Sequence, residues 1–160
     1  HVQTVQQVWD SAFHLAELSQ RQRHTPPQQL SGRTGSYMYM APEVYRQEQY
    51  NEKVDVFSFG VILFELLSRY QTVCAISLAG TQEEIESYAA RVAQGYRPPL
   101  PQRWPEPVKQ LLAGCWHQDP AQRPSMGEVK AELQRQQREG VPQQMQELCQ
   151  PPPACGCVVS

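Results

Sequence analysis

The chain has 160 residues, 40% of them hydrophobic, and a formal net charge of −2. This length and composition suit one globular core, and the charge provides no basic surface for nucleic acid. Five scattered cysteines argue against a disulfide framework, and the longest apolar run, residues 54–67, is too short to cross a bilayer. We therefore expect a cytoplasmic protein, and because the chain begins with His1 we expect a fragment of a longer one.

The first part of the chain gives the weakest pattern. Val5 and Val8 are followed by a stretch rich in Gln, Arg and Pro, residues 20–31, which predicts a mobile loop. A short helix is predicted from Pro42, because proline suits the first helical turn. The clearest helix covers residues 52–69; it is apolar on every side, so protein must surround it.

Two capping boxes predict helix starts in the second half of the chain. In each box, a hydroxyl side chain and a glutamate three residues later satisfy each other's free backbone N–H groups. The boxes are Thr81 with Glu84 and Ser125 with Glu128. Apolar spacing predicts a further helix over residues 105–116.

Three motifs, in a fixed order and spacing, resemble a known family. They are Ala41-Pro42-Glu43, Asp55-Val56-Phe57-Ser58-Phe59-Gly60, and Cys115-Trp116-His117-Gln118-Asp119-Pro120 leading to Arg123. Together they resemble the end of the activation segment, the central large-lobe helix and the late structural arginine of protein kinases. The resemblance is to tyrosine-kinase-like Ser/Thr kinases and covers about residues 32–135.

The resemblance implies a mainly α fold: the C-terminal lobe of a protein kinase, truncated, without the N-lobe and the catalytic loop. Residues 32–137 would form this lobe. Residues 1–31 would be a degenerate or unrelated segment before the activation loop, and residues 138–160 a disordered Gln/Pro-rich tail.

The same resemblance implies structural roles for several motif residues. Glu43 would form a partly buried ion pair with Arg123, which pins the substrate-facing loop to the helical core; the alternative is two solvated surface charges. Asp55 would hold the catalytic loop through its backbone, or would simply be a first-turn acid. Because that loop is missing, we expect a buried carboxylate without donors. The remaining structural positions of the motifs are Ala41, Pro42, Gly60 and Trp116.

The substrate-docking loop implied by the resemblance comprises Ser36, Tyr37, Tyr39 and Met40. Its aromatic and methionine residues would line the pocket for the substrate residue after the phosphoacceptor, and the serine favours Ser/Thr specificity. Ser31 and Thr34 lie where relatives are phosphorylated in the activation segment, and neighbouring arginines could pair with an added phosphate. An ordinary loop rich in Ser and Thr has the same composition.

The sequence contains no Gly-rich phosphate loop, no strand lysine and no His-Arg-Asp. Residues 12–16, Ala-Phe-His-Leu-Ala, look like a degraded Asp-Phe-Gly-Leu-Ala in which Ala12 replaces the Mg²⁺ ligand. Either the parent is a pseudokinase, or an unrelated segment precedes a normal activation segment. ATP and Mg²⁺ are implied only for a complete parent kinase, and no catalytic residue or metal site is assigned in this chain.

The carboxyl end carries a separate motif. Cys157-Val158-Val159-Ser160 matches a prenylation box whose final serine favours a farnesyl group. A single prenyl chain anchors weakly, so Cys155 is a candidate for a second, palmitoyl modification. The alternative, half of a zinc site, has no second pair of ligands.

Two hypotheses follow for function. In the first, the parent transfers phosphate from ATP to protein Ser/Thr hydroxyls, and this inactive fragment holds its docking and structural half. In the second, the chain is a pseudokinase scaffold that a lipidated tail tethers to a membrane. Either way the partners are protein substrates or signalling proteins. Because the preceding large-lobe helix is missing, we also expect one side of Phe57, Val61 and Phe64 to be uncovered.

Overall fold

The computed structural model describes residues 4–21, 36–68 and 81–148. Within these ranges the regular structure is entirely helical, which confirms the predicted mainly α fold. The α-helices are α1 (Val5–Arg21), α2 (Pro42–Tyr45), α3 (Lys53–Ser68), α4 (Gln82–Ala93), α5 (Glu106–Cys115), α6 (Met126–Arg138) and α7 (Val141–Leu148). Two short 3₁₀ helices cover Ser36–Tyr39 and Pro120–Gln122.

Helix α3 lies at the centre of the core, as its uniformly apolar sequence predicted. Buried side chains occur all around it, and the most deeply buried include Val56, Phe57 and Leu63. Helices α1 and α5 and both 3₁₀ helices pack against it. The elements that carry the three motifs therefore share one support.

Helices α3 and α5 approach each other closely at Gly60 of α3. A Cβ atom added at this position would lie 2.7 Å from the Cβ of Cys115 at the end of α5. Such a separation is shorter than real Cβ contacts, so only glycine allows α3 and α5 to pack at this distance.

Both predicted capping boxes are present. At the start of α4, the Thr81 N–H donates to Glu84 Oε2 at 2.8 Å and the Glu84 N–H donates to Thr81 Oγ1 at 3.3 Å. At the start of α6, Ser125 and Glu128 make the same reciprocal bonds at 2.7 and 3.2 Å. These local bonds explain why both helix starts could be predicted from sequence.

The amino-terminal segment differs from expectation, because α1 is a 17-residue helix where no clear pattern was predicted. It extends into the predicted loop as far as Arg21, and residues 22–35 lie outside the described part of the chain. Helix α1 packs against α3, α6 and α7. The prediction of an uncovered side on α3 is therefore wrong: Phe57, Val61 and Phe64 are 0, 8 and 4% exposed.

The tail also begins later than predicted. Residues 138–160 were expected to be disordered, but Val141–Leu148 forms α7, which packs against α1 and α6. Val141 and Met145, four residues apart, are buried and face one side of this helix. The remaining residues, 149–160, lie outside the described part of the chain, and with them Cys155 and Cys157.

Candidate functional site

The site is built around the ion pair predicted between Glu43 and Arg123. Arg123 Nη1 donates to Glu43 Oε1 at 2.6 Å and Nη2 donates to Glu43 Oε2 at 2.9 Å. Each residue is 2% exposed, so the pair is fully rather than partly buried. Two parallel bonds of this kind fit the planar guanidinium to a carboxylate, which a lysine could not reproduce.

Two backbone carbonyls also accept hydrogen bonds from the Arg123 guanidinium. Its Nε donates to the carbonyl of His117 at 2.8 Å, and Nη1 donates also to the carbonyl of Lys53 at 3.1 Å. In return, Lys53 Nζ donates to the carbonyl of Arg123 at 2.5 Å. The pair thus connects the first turn of α2, the start of α3 and the segment between α5 and α6.

A second arginine, the partly buried Arg97, was missed as a site residue. The Cζ atoms of Arg97 and Arg123 lie 4.8 and 5.0 Å from the ring centre of Phe57. Arg97 Nε donates to the carbonyl of Trp116 at 2.8 Å, and Nη1 donates to that of Val92 at 2.9 Å. Burial, together with the nearby charge of Arg123, lowers the pKa of Arg97 to about 10.

The surroundings explain how one carboxylate suffices for both the buried Arg123 and the partly buried Arg97. The carbonyls that accept from Arg97 belong to the last turn of α4 and to the residue that ends α5. The carboxyl end of a helix carries partial negative charge, which stabilises a cation placed there. Arg97 therefore takes its countercharge from two helix ends.

Helix α2 also contacts the end of α4. Arg46 Nη1 and Gln118 Nε2 each donate to the carbonyl of Ala93 at 2.9 Å. Gln118 Oε1 in turn accepts from Arg97 Nη2 at 2.9 Å. The Ala-Pro-Glu segment is thereby held on two sides, by the Arg123 pair and by α4.

The predicted docking loop precedes this anchor and is fixed to α3. The Tyr39 hydroxyl donates to Glu65 Oε2 at 2.9 Å, and the Ser58 hydroxyl donates to the carbonyl of Tyr39 at 2.8 Å. Met38 is buried in the core, while Tyr37 and Met40 are partly buried. The structure does not describe the side chain of Ser36 or any part of Ser31 and Thr34.

Asp55 differs from expectation. Its side chain lies at an exposed position in the first turn of α3 instead of being buried, and within the described residues its carboxylate accepts no hydrogen bond. Partial burial, with a smaller contribution from Glu52, raises the pKa of Asp55. The carboxylate is therefore available to donors from outside the described chain.

Residues 12–16, interpreted from the sequence as a degraded metal loop, adopt a helical conformation. They form the middle of α1, with Ala12 and Ala16 buried on its inner side and His14 and Leu15 exposed. In the described ranges no group of three or more His, Cys, Asp or Glu side chains lies close enough to hold a metal ion. The same ranges contain no helix that is long and apolar enough to span a membrane.

Trp116 and Cys115 are buried in the hydrophobic core. The Trp116 ring lies 5.4 Å from that of Phe64, and its carbonyl accepts from Arg97. Burial raises the pKa of the Cys115 thiol to about 12, so this cysteine stays protonated and unreactive at neutral pH.

Comparison with known proteins agrees with this arrangement. The family model for protein tyrosine and serine/threonine kinases matches residues 2–133. The chain is 39% identical over 104 residues to mitogen-activated protein kinase kinase kinase 7 of Homo sapiens, which covers 62% of this chain and 16% of that protein. It is 36% identical over 124 residues to serine/threonine-protein kinase VIK of Arabidopsis thaliana, which covers 77% of this chain and 27% of that protein.

A third relative is the dual specificity protein kinase shkE of Dictyostelium discoideum, with 40% identity over 98 residues, 61% of this chain and 13% of that protein. The chain thus spans between about an eighth and a quarter of the length of these relatives. The matches confirm the resemblance to tyrosine-kinase-like Ser/Thr kinases, and the helical structure agrees with a part of the large lobe. The chain belongs to the protein tyrosine and serine/threonine kinase family.

Proposed function

We propose that this chain is the substrate-docking and structural half of a protein kinase domain whose complete form transfers phosphate from ATP to Ser/Thr hydroxyls of proteins. The observation that carries the proposal is the buried bidentate pair between Glu43 and Arg123. A docking segment must keep one shape to position a flexible substrate, since misplacement by about 1 Å can cost a hundredfold in rate. The pair supplies that rigidity beside residues 36–40.

Substrate contact is assigned to Tyr37, Tyr39 and Met40, with Ser36 preceding them. Tyr39 is oriented by Glu65 and Ser58, so its ring keeps a fixed position on α3. Partly buried aromatic and thioether side chains favour an apolar substrate residue next to the phosphoacceptor. The partner class is therefore a protein substrate with a Ser or Thr followed by an apolar residue.

Phosphoryl transfer itself needs ATP and Mg²⁺, and in protein kinases an aspartate and an asparagine hold the metal. The chain contains three aspartates, at positions 10, 55 and 119. Asp10 lies on the exposed side of α1, and Asp119 caps the 3₁₀ helix by accepting from the Ala121 N–H at 2.9 Å. These residues, on three separate elements, do not fit a magnesium-nucleotide site, and we assign no chemical step to them.

The test uses two ligands on the same protein. NMR spectra should show shifts for the amides of Tyr37, Tyr39 and Met40 when a peptide with Ser followed by Leu is added. A peptide with Ser followed by Asp is the matched control and should give much smaller shifts. Mg²⁺-ATP should leave the melting temperature unchanged. Equal shifts with both peptides would contradict the docking assignment.

A second candidate function is a non-catalytic scaffold of the kinase family with a lipid anchor. The scarcity of aspartates and the prenylation box at Cys157 favour it, and Cys155 would take the second lipid. A prenyl transferase recognises this box only at the end of a chain, so the proposal applies to a protein that ends at Ser160. Such a protein would act in the cytoplasm and at its membrane surfaces.

Mass spectrometry of the protein from eukaryotic cells should then find a farnesyl mass on Cys157. A Cys157→Ser variant is the control and should lose both this mass and membrane recovery. An unmodified cysteine in the parent protein removes the anchor from the proposal. The same spectra test Ser31 and Thr34 for phosphate, the regulatory sites proposed for the activation segment.

A further inference from the structure

Helix α1 is amphipathic, and its apolar side faces the rest of the molecule. The inward residues are all at most 4% exposed and follow helical spacing: Val5, Val8, Trp9, Ala12 and Ala16. The opposite side carries polar residues such as Asp10 and Ser11, which are exposed. If such a helix detached from the protein, it would expose apolar side chains on one side only.

The surface beneath α1 is made by α3, α6 and α7, which come from separate parts of the sequence. Apolar residues on these helices are completely or almost completely buried, among them Val129, Leu133 and Met145. Without α1, part of this surface would face water. A groove between helices that receives an amphipathic helix is a common mode of peptide recognition.

Polar contacts of α1 lie at the margins of this surface. Gln146 Oε1 accepts from the Val5 N–H at 2.9 Å, and Lys130 Nζ lies 3.5 Å from Glu17 Oε1 and 5.0 Å from the ring centre of Phe13. In the interior, Trp9 Nε1 is buried without a hydrogen-bond partner in the described residues. The free energy of attachment therefore comes from apolar burial, with Trp9 as the largest fully buried side chain of the helix.

We infer that α3, α6 and α7 form a helix-docking surface whose occupant is α1, and that α1 is held there by non-covalent contacts strong enough to persist without the connecting chain. The docked helix completes the core, which makes residues 4–148 a self-contained folding unit. This inference does not depend on which substrate the docking loop selects.

The test cuts the connection in the folded protein. A site for a sequence-specific protease is inserted between Gln28 and Gln29 in the full-length chain, and the purified protein is cleaved under native conditions. We expect the two pieces to elute together at the size of the intact chain and to melt in one transition. A Trp9→Ala substitution should raise the dissociation constant between the pieces at least tenfold, whereas Ser11→Ala, on the opposite side, should leave it within twofold.

The inference is overturned if the two pieces of the unsubstituted protein separate after cleavage. It is also overturned if Trp9→Ala and Ser11→Ala give the same dissociation constant between the pieces. A measurement on the intact chain covers the case in which Trp9→Ala does not fold. Hydrogen exchange should give the α1 amides the same protection as those of α3, since both then open only on global unfolding. Exchange of α1 at the rate of a free peptide, with α3 still protected, contradicts the inference.

Discussion

Substituting alanine for Gly60 tests how closely α3 and α5 pack. The new Cβ would lie 2.7 Å from Cys115 Cβ, about 0.7 Å inside ordinary van der Waals contact, and its next neighbour is the Trp116 backbone nitrogen at 3.5 Å. Neither atom is at the end of a flexible side chain, so the helices must move apart. Overpacking of this kind costs about 1–3 kcal/mol.

Part of this cost is offset, because alanine in a helix is about 1 kcal/mol more favourable than glycine. We therefore expect Gly60→Ala to lower the free energy of unfolding by up to about 2 kcal/mol, measured by urea denaturation with circular dichroism. Gly114→Ala on α5 is the matched control. Its added Cβ would be 3.7 Å from Pro124 Cδ, an ordinary contact, so this variant should be as stable as the parent or slightly more stable.

A double substitution isolates the contact itself. Cys115→Gly removes the atom with which the new Cβ collides, so Gly60→Ala should cost less in that background than in the parent. If Gly60→Ala proves as stable as Gly114→Ala, or if its cost is the same with Cys115→Gly, the close packing of α3 and α5 does not limit this position.

Four further substitutions have expected outcomes. Glu43→Gln should reduce the free energy of unfolding by about 3–5 kcal/mol, measured with urea, because it leaves the Arg123 charge buried without a counterion. Arg97→Lys should cost about 1–3 kcal/mol in the same assay, since a lysine cannot serve carbonyls at two helix ends together. Trp9→Phe should lower the melting temperature less than Trp9→Ala does, because it keeps part of the buried ring and, in the described residues, loses no hydrogen bond of the Trp9 nitrogen. A raised pKa at Asp55 means that the folded state disfavours the charged carboxylate, so Asp55→Asn should be more stable than the parent at neutral pH. Melting curves should show this gain in stability vanishing as the pH falls toward 3.8, the ordinary pKa of an aspartate.

Each of these has a contradicting result. An unchanged unfolding free energy for Glu43→Gln would mean that the pair is solvated, and a fully tolerated Arg97→Lys would mean that the charge alone matters. A Trp9→Phe variant as unstable as Trp9→Ala would mean that the buried ring area does not set the stability contributed by this position. A stability gain for Asp55→Asn that is independent of pH would not come from ionisation.

The parts of the fold that could be predicted are those encoded within a few residues or in a long apolar run. The capping boxes at Thr81 and Ser125 each need four residues, and the interior of α3 is mostly apolar on every side. The pairing of Glu43 with Arg123 could not come from local pattern. It was predicted because the order and spacing of the motifs resemble a family.

The parts that were missed depend on contacts between distant segments. Helix α1 has its buried positions at residues 5, 8, 9, 12 and 16, a helical spacing that is present in the sequence but weakened by two alanines. Helix α7 has only three buried residues, Val141, Pro142 and Met145, among glutamines, so its helix depends on packing against α1. Arg97 looks like part of an extended linker, and its role appears only when the ends of α4 and α5 are brought together. The exposure of Asp55 likewise depends on which segments surround it.

The ion pair between Glu43 and Arg123 has a consequence for folding kinetics. The two residues are 80 positions apart, so a large loop must close before their side chains meet. Contacts of this kind tend to form after the folding transition state, and interactions absent from that state act on the unfolding rate. The pair therefore slows unfolding and has little effect on the folding rate. It sets how long the docking segment stays folded rather than how fast the segment folds.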